Sequence, residues 1–254
     1  MLTATDSRKQ RSRAAAALCL ACALAALVSF ARPDDANSAP ARVIILGQTD
    51  SSPKPSCPGK TVNNVEVVPC RVEGHVSGFQ VSAGGVPEPY VVPFDGKIVA
   101  WSISLSRPSR QASSKTTDEV GFFNDFLGSP SKARIGVLRR LEGSKPPRYK
   151  LVRQSPLETL NPYFGSTPVF ALDHPLTVLQ DQVVALTIPT WAPMFAVEVS
   201  AENKWRGSRL PKHCISKEDI ENGRPQQAIG SVKKYGCFYS KARLLYRAWL
   251  IAKP

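Results

Sequence analysis

The chain has 254 residues, of which 43% are hydrophobic, and it carries a formal net charge of +13 at pH 7. This length allows one substantial core, in which about 70% of the unfolded surface is buried. No segment between residues 32 and 254 is long and apolar enough to cross a bilayer, which excludes a transmembrane span in this part of the chain.

Residues 1–31 have the three parts of a secretory signal peptide. Basic side chains cluster between residues 8 and 13, an uncharged run extends from Ala14 to Phe30, and Ser29 and Ala31 are the small residues before the cleavage point. An uncleaved anchor is the alternative, although the run is short and alanine-rich for a span. Cleavage after Ala31 leaves a net charge of +10 and predicts a secreted or extracellular protein, with the cell surface as one location.

Four cysteines follow the predicted cleavage point, and an even number in an exported chain indicates disulfides. Three pairings are possible. We favour Cys57–Cys70 and Cys214–Cys237, because each pair brackets a local loop. The alternative is a zinc site built on Cys214 and the neighbouring His213, but the chain has no CxxC spacing. No metal site is therefore predicted.

Residues 32–60 are rich in proline and serine, which predicts a flexible N-terminal arm. Its one short apolar run, Val43–Leu46, is a candidate edge strand. A single β-sandwich domain is predicted over residues 61–254. Its first strands are expected at Asn64–Cys70 and Val72–Val81, the second weakened by internal glycines.

The segment from Pro93 to Ser106 has the clearest strand pattern. Val99, Trp101, Ile103 and Leu105 alternate with small residues, and strict period two indicates a half-buried strand. Trp101 is the largest apolar side chain on the inward face. We therefore expect it at the centre of a sandwich core.

Residues 106–118 contain a single apolar side chain, which predicts a mobile loop. The aromatic segment Gly121–Leu127 is interpreted either as a lid on the sandwich or as an exposed apolar patch. Further strands are expected at Ala133–Arg140, Arg148–Gln154, Pro168–Leu172, Leu176–Leu179, Val183–Ile188, Pro193–Val199 and Ala242–Ala252. About ten short strands, with no amphipathic helix of ten residues, predict an all-β fold: a jelly-roll-like antiparallel β-sandwich.

The succession FDGKIVAWSISLS, ARIGVLRR, RYKLVRQSP, PLTVLQDQVVALTIPTWAP and ARLLYRAWL resembles uncharacterised exported bacterial β-sandwich proteins of unknown function. The resemblance covers roughly residues 61–254 and consists of core-strand patterns. It implies the sandwich fold and export, and it supplies no catalytic residue. The chain departs from the pattern at residues 180–182, where a Gly-Asp turn is more usual.

No catalytic constellation and no cofactor motif is found, so neither is predicted. There is no phosphate loop or dinucleotide fingerprint. In the segment around His75, the serine comes one position later than in the GxSxG nucleophile elbow. We therefore interpret His75 as a strand residue. Three SxxK matches lack the accompanying penicillin-binding motifs and are expected by chance. A structural calcium ion is left open.

Basic residues are concentrated in two segments. Residues 132–153 contain eight basic residues and one acid, and residues 203–254 have a net charge of +9. The second segment includes a long connection, residues 204–241, in which Trp205, Arg206 and Arg209 form a candidate binding site. An indole stacks on a sugar ring, and guanidinium groups donate to carboxylate or phosphate. In the alternative interpretation, Trp205 closes the end of the sandwich and the arginines are solvated.

These observations predict a non-catalytic binding or cell-envelope module for an anionic polysaccharide or envelope polymer. A basic surface that only keeps the protein soluble is the simpler interpretation. Specific nucleic-acid binding is not expected in an exported protein. The enzymatic alternative is a jelly-roll lyase or hydrolase acting on an anionic polysaccharide, which needs histidine, tyrosine and arginine together. The positions of His75, Tyr149 and Tyr246 distinguish the two classes.

Overall fold

The computed structural model describes residues 42–50, 52–57, 60–62, 65–68, 70–110 and 118–253, all within one compact unit. The predicted signal peptide, residues 1–31, lies outside the described residues. Most of the predicted mobile loop over residues 106–118 also lies outside them. The predicted boundary between an N-terminal arm and a domain starting at residue 61 stays a prediction.

The described chain consists mainly of short strands. They are β1 (Val43–Leu46), β2 (Lys60–Val62), β3 (Val65–Val68), β4 (Glu73–Ala83), β5 (Val86–Pro87), β6 (Gly96–Ile103), β7 (Lys132–Leu141), β8 (Arg148–Gln154), β9 (Glu158–Thr159), β10 (Val169–Val178), β11 (Val183–Ala192), β12 (Phe195–Val197), β13 (Lys204–Gly207), β14 (Val232–Lys234), β15 (Cys237–Ser240), β16 (Ala242–Leu244) and β17 (Tyr246–Ala252). Two α-helices, α1 (Glu119–Leu127) and α2 (Lys217–Glu221), and a 3-10 turn (Asn161–Tyr163) complete the described elements.

Two antiparallel sheets form the body of the fold. One has the order β1-β17-β6-β10, and the other follows the path β14-β8-β7-β11-β4-β13-β15, with β5 beside β4 and β9 beside β7. Two short pairs, β12 with β16 and β2 with β3, complete the pairing. The predicted all-β, sandwich-like fold is confirmed. Val43–Leu46 does form an edge strand, because β1 pairs only with β17 in the described part of the chain.

Trp101 is fully buried in β6 and packs against Phe170, with ring centroids 4.8 Å apart. The expectation that it is a core residue is confirmed. The predicted alternation was wrong at Val99, which is half-buried, whereas Ile98 is fully buried. The register shifts between Ile98 and Ala100 on both sides of β6, and this bulge turns Ile98 rather than Val99 to the core.

The aromatic segment Gly121–Leu127, interpreted from the sequence as a lid or as an exposed patch, belongs to the nine-residue helix α1. Asp118 caps the helix by accepting a hydrogen bond of 2.8 Å from the Gly121 amide. Phe123 is buried against Trp191, with ring centroids 5.3 Å apart, while Phe122 remains 53% exposed. The aromatic segment therefore covers the sandwich with one ring and exposes another.

The 204–241 connection contributes three strands to the larger sheet, and β13 lies between β4 and β15. The expectation of a long loop between residues 204 and 241 is therefore wrong for these three strands. Helix α2 begins after Ser216, whose hydroxyl caps it by accepting a hydrogen bond of 3.0 Å from the Asp219 amide. The rest of the connection packs on the sheet face that carries Ser77 and Phe79.

Both predicted disulfides, Cys57–Cys70 and Cys214–Cys237, are present. Cys214 is therefore not available as a thiolate ligand beside His213, and the alternative zinc site is excluded. Disulfides persist in oxidising compartments, so the pair is compatible with an extracellular location. None of the described helices is long and apolar enough to cross a membrane.

Candidate functional site

The three predicted binding residues lie close together around β13, but they face different environments. Trp205 is fully buried, stacked on Tyr239 with ring centroids 4.2 Å apart, and its edge meets Phe195. This burial leaves no exposed surface for a sugar ring. It agrees with the alternative interpretation for Trp205, but that interpretation also expected solvated arginines, and Arg209 is buried.

Arg209 is also interior and has a structural set of partners. Its guanidinium donates to the Glu73 carboxylate at 2.7 Å and to the Gly74 carbonyl at 2.6 Å. A third bond of 3.1 Å reaches the Tyr239 hydroxyl, which in turn donates to the Cys214 carbonyl at 2.7 Å. Arg209 therefore joins the 204–241 connection to β4 and does not face solvent.

Arg206 lines an open cleft. It is half-buried, donates a hydrogen bond of 3.0 Å to the Tyr235 carbonyl, and its guanidinium lies 5.2 Å from the centre of the Phe238 ring. Directly opposite it on β4 is Phe79. These contacts hold the long arginine side chain at the mouth of the cleft.

The cleft has a volume of about 570 Å³ and lies where β4, β7, β8, β11 and β13 come together. Its floor includes Phe79 and Tyr149, whose rings meet edge to face with centroids 5.3 Å apart. Tyr235 packs against both rings. A rigid aromatic cluster therefore supports the polar groups above it.

Arg140 lies directly opposite Tyr149 in the pairing of β7 with β8, and both line the cleft with Arg139 and Arg206. Arg139 and Arg140 are exposed. Among the residues that the structure describes, no carboxylate is within ion-pair distance of these three arginines. The exposed guanidinium groups of Arg139 and Arg140 are thus available to a ligand, whereas one nitrogen of Arg206 already donates to the Tyr235 carbonyl.

Burial raises the pKa of the Tyr149 phenol. Arg140 and Arg206 act on this pKa in the opposite direction, and Glu88 acts in the same direction as burial. The phenol is therefore protonated at neutral pH, when it is a hydrogen-bond donor and a poor base. Guanidinium groups have only donors, so this part of the cleft suits an anionic oxygen group.

Acidic side chains also line the cleft. Glu88 and Asp181 come from the two turns that border it, and Glu142 follows β7. All three are exposed. Glu88 and Asp181 have left-handed backbone conformations, with φ of 46° and 65°. The cleft therefore combines both signs of charge.

His75, Tyr149 and Tyr246 occupy three separate places. His75 lies between the ends of the two helices: Nε2 is 2.9 Å from the Leu127 carbonyl, and Nδ1 is 2.7 Å from that of Glu221. Tyr246 is fully buried, stacked on Tyr90 and bonded to the Val184 carbonyl at 2.9 Å. Only Tyr149 lines the cleft, so the convergence that a lyase needs is not found among these residues.

Within the described residues, one group of potential metal ligands comes together, namely Cys57, Cys70 and Glu119. Its two sulfurs form a disulfide, which leaves one carboxylate as a ligand. The group is therefore not a metal centre.

The sequence did not point to Arg139, Arg140 or Phe79 as site residues, and it named Tyr149 only for the enzymatic alternative. The basic run between residues 132 and 153 was a signal for the two arginines, but their meeting with Arg206 depends on sheet order. A comparison with protein-family models, with curated proteins and with solved structures finds no significant match for this chain.

Proposed function

We propose that this protein is a non-catalytic binding module for an anionic glycan or related envelope polymer, and that the cleft beside Tyr149 is its binding site. The predicted export would place it where such polymers occur. Support comes first from the position of Arg140, Arg206 and Tyr149 in the lining of one cleft, with no carboxylate bonded to either arginine in the described chain.

The chemistry of these groups fits a carboxylate, sulfate or phosphate. Two guanidinium groups offer only donors to one region of the cleft, and the protonated phenol adds an O–H donor. Charge-assisted hydrogen bonds are stronger than neutral ones, and the guanidinium plane allows bidentate contacts. The aromatic cluster beneath fixes the donors, which reduces the entropy that is lost on binding.

The volume of the cleft also suits a small part of a polymer. About 570 Å³ falls within the range of ligand sites. The cleft is open to solvent along the exposed arginines, so a chain can continue beyond it. A short acidic segment bound in this way fits a binding module.

Calorimetric titration with oligogalacturonate, a sulfated dextran oligomer and neutral dextran tests the proposal. Arg140→Ala should weaken binding of the acidic oligomers by about tenfold or more, because it removes charge-assisted bonds. Tyr149→Phe should weaken it less, and neutral dextran should not bind. Affinity should fall with added salt.

Arg148→Ala is the matched control. It removes the same charge one residue before Tyr149, and Arg148 does not line the cleft. Equal effects of Arg140→Ala and Arg148→Ala would show that binding depends on net charge and not on this cleft. Release of unsaturated or shortened oligosaccharide by the wild type would instead support the enzymatic alternative.

A further inference from the structure

The acidic side chains of the cleft are not explained by an anionic ligand alone. Glu88, Asp181 and Glu142 line the same cleft as Arg139, Arg140 and Arg206. Among the described residues, the ion pairs are those of Arg209 with Glu73 and of His213 with Asp219, both outside this set. Opposite charges therefore share one cleft without pairing directly.

Two of these acids are held by ordered turns. The backbone around Asp181 bonds to the neighbouring turn, with the Asp181 amide 2.9 Å from the Val92 carbonyl. The Glu88 amide bonds to the Val81 carbonyl at 2.8 Å. The backbone of both residues is thus held in place, and their side chains line the same cleft as the arginines.

The backbone at both positions favours glycine. A φ of 46° at Glu88 and 65° at Asp181 lies in the left-handed region, which side chains with a Cβ rarely adopt. A glutamate is less common there than aspartate or asparagine. Both positions nevertheless carry a carboxylate that lines the cleft.

We infer that the cleft takes a zwitterionic saccharide unit, with its anionic oxygen group at Arg140, Arg206 and Tyr149 and a free ammonium group at Glu88 and Asp181. This inference rests on the proposed function and specifies its ligand class. Complementary charges on both partners give selectivity, because a ligand of one sign leaves like charges facing each other. A purely acidic sugar satisfies the arginines but faces the two carboxylates.

A matched pair of ligands isolates the ammonium group. One is a tetrasaccharide of alternating uronate and N-acetylated amino sugar, and the other is the same compound after removal of its N-acetyl groups. We expect the wild type to bind the free-amine form about tenfold more tightly. In the double variant Glu88→Gln with Asp181→Asn, the two affinities should agree within about twofold.

Both substitutions keep the size of the side chain, and asparagine tolerates the left-handed conformation. Glu198→Gln is the control, because Glu198 is also exposed with a φ of 58° and does not line the cleft. This variant should keep the full preference for the free-amine form. Unchanged thermal unfolding midpoints in both variants would show that the fold is intact.

The outcomes separate the two levels of the proposal. The zwitterion inference is overturned if the wild type binds both compounds equally well, or if the preference for the free amine survives in Glu88→Gln with Asp181→Asn. The proposed anion site is still supported in that case, provided that Arg140→Ala weakens binding. Absence of binding to either compound and to the acidic oligomers overturns the proposed function and the inference with it.

Discussion

Arg209 and Glu73 form an ion pair of 2.7 Å in which the side chains are only 3% and 9% exposed. Removing one partner leaves a buried charge without compensation. We expect Arg209→Ala and Glu73→Gln each to lower the free energy of unfolding by about 3–5 kcal/mol. Urea unfolding followed by fluorescence measures both values.

The double variant Arg209→Met with Glu73→Leu should lose clearly less than the sum of the single losses, because no charge is left buried. If the loss in the double variant equals the sum of the two single losses, the two side chains are not energetically coupled. Arg224→Ala, at an exposed position, should change stability by less than about 0.5 kcal/mol.

Trp101 fills the centre of the core, and Trp101→Ala should cost about 3–5 kcal/mol. The indole N–H has no hydrogen-bond partner in the described part of the chain. Trp101→Phe keeps an aromatic ring against Phe170 and removes that donor, so we expect a much smaller loss. A loss below about one kcal/mol for Trp101→Ala, measured by chemical unfolding, would be typical of a surface position and would contradict its burial.

Gly78 allows the Trp205 indole to lie against the backbone of β4. A Cβ at this position would lie 2.8 Å from Trp205 Cζ3 and 3.0 Å from the Arg206 carbonyl oxygen. We expect Gly78→Ala to destabilise by about 1–3 kcal/mol through overpacking. Gly136→Ala is the comparison, since its nearest contact is a Leu151 methyl, and a comparable loss there would argue against this explanation.

His75 joins the carboxyl ends of α1 and α2, where backbone carbonyls lack partners within the helix. His75→Ala removes both contacts, and we expect a loss of about 1–3 kcal/mol. Hydrogen exchange should increase at the amides of α2 and of the end of α1. Unchanged exchange at both helices would show that the imidazole does not hold them together.

Alkaline pH should destabilise the protein through its buried tyrosines. Burial raises the pKa of Tyr90, Tyr235 and Tyr246 above the ordinary value for a phenol, which is about 10. The unfolded chain loses these protons near pH 10, while the folded chain retains them. The stabilisation is therefore present below pH 10 and is lost as pH rises further.

Each phenol that stays protonated should lower the free energy of unfolding by about 1.4 kcal/mol per pH unit above 10. Urea unfolding at a series of pH values, with phenolate absorbance recorded in parallel, measures this slope. A flat stability between pH 10 and 11 would mean that these phenols ionise in the folded state.

Alternating patterns predicted the sandwich and the burial of Trp101, because side-chain period is a local property of a strand. They failed at Val99, since a bulge shifts the period by one residue and depends on both neighbouring strands. Helix α1 was not predicted because it has only nine residues and Gly121 lies in its first turn. Asp118 as a helix cap was the available signal.

The candidate site shows the same limit. The basic composition of two segments was visible, and Arg206 was selected on that ground. Its approach to Tyr149 and Arg140 requires the order β8-β7-β11-β4-β13, which brings together strands that are distant in sequence. Trp205, selected by the same composition, lies in the interior because of the register of β13 against β4. Arg209 follows β13 and is held in the interior by its bonds to Glu73 and the Gly74 carbonyl.

The edge strand β1 pairs with β17, so that Val43 lies opposite Ile251, about two hundred residues later in the chain. Closing so large a loop carries an entropic cost before the contact contributes any stability. Folds dominated by such distant pairings reach the native state in milliseconds to seconds, more slowly than helical proteins. The four-stranded sheet should therefore be completed late, and until then the edge of β17 is open to pairing with other chains.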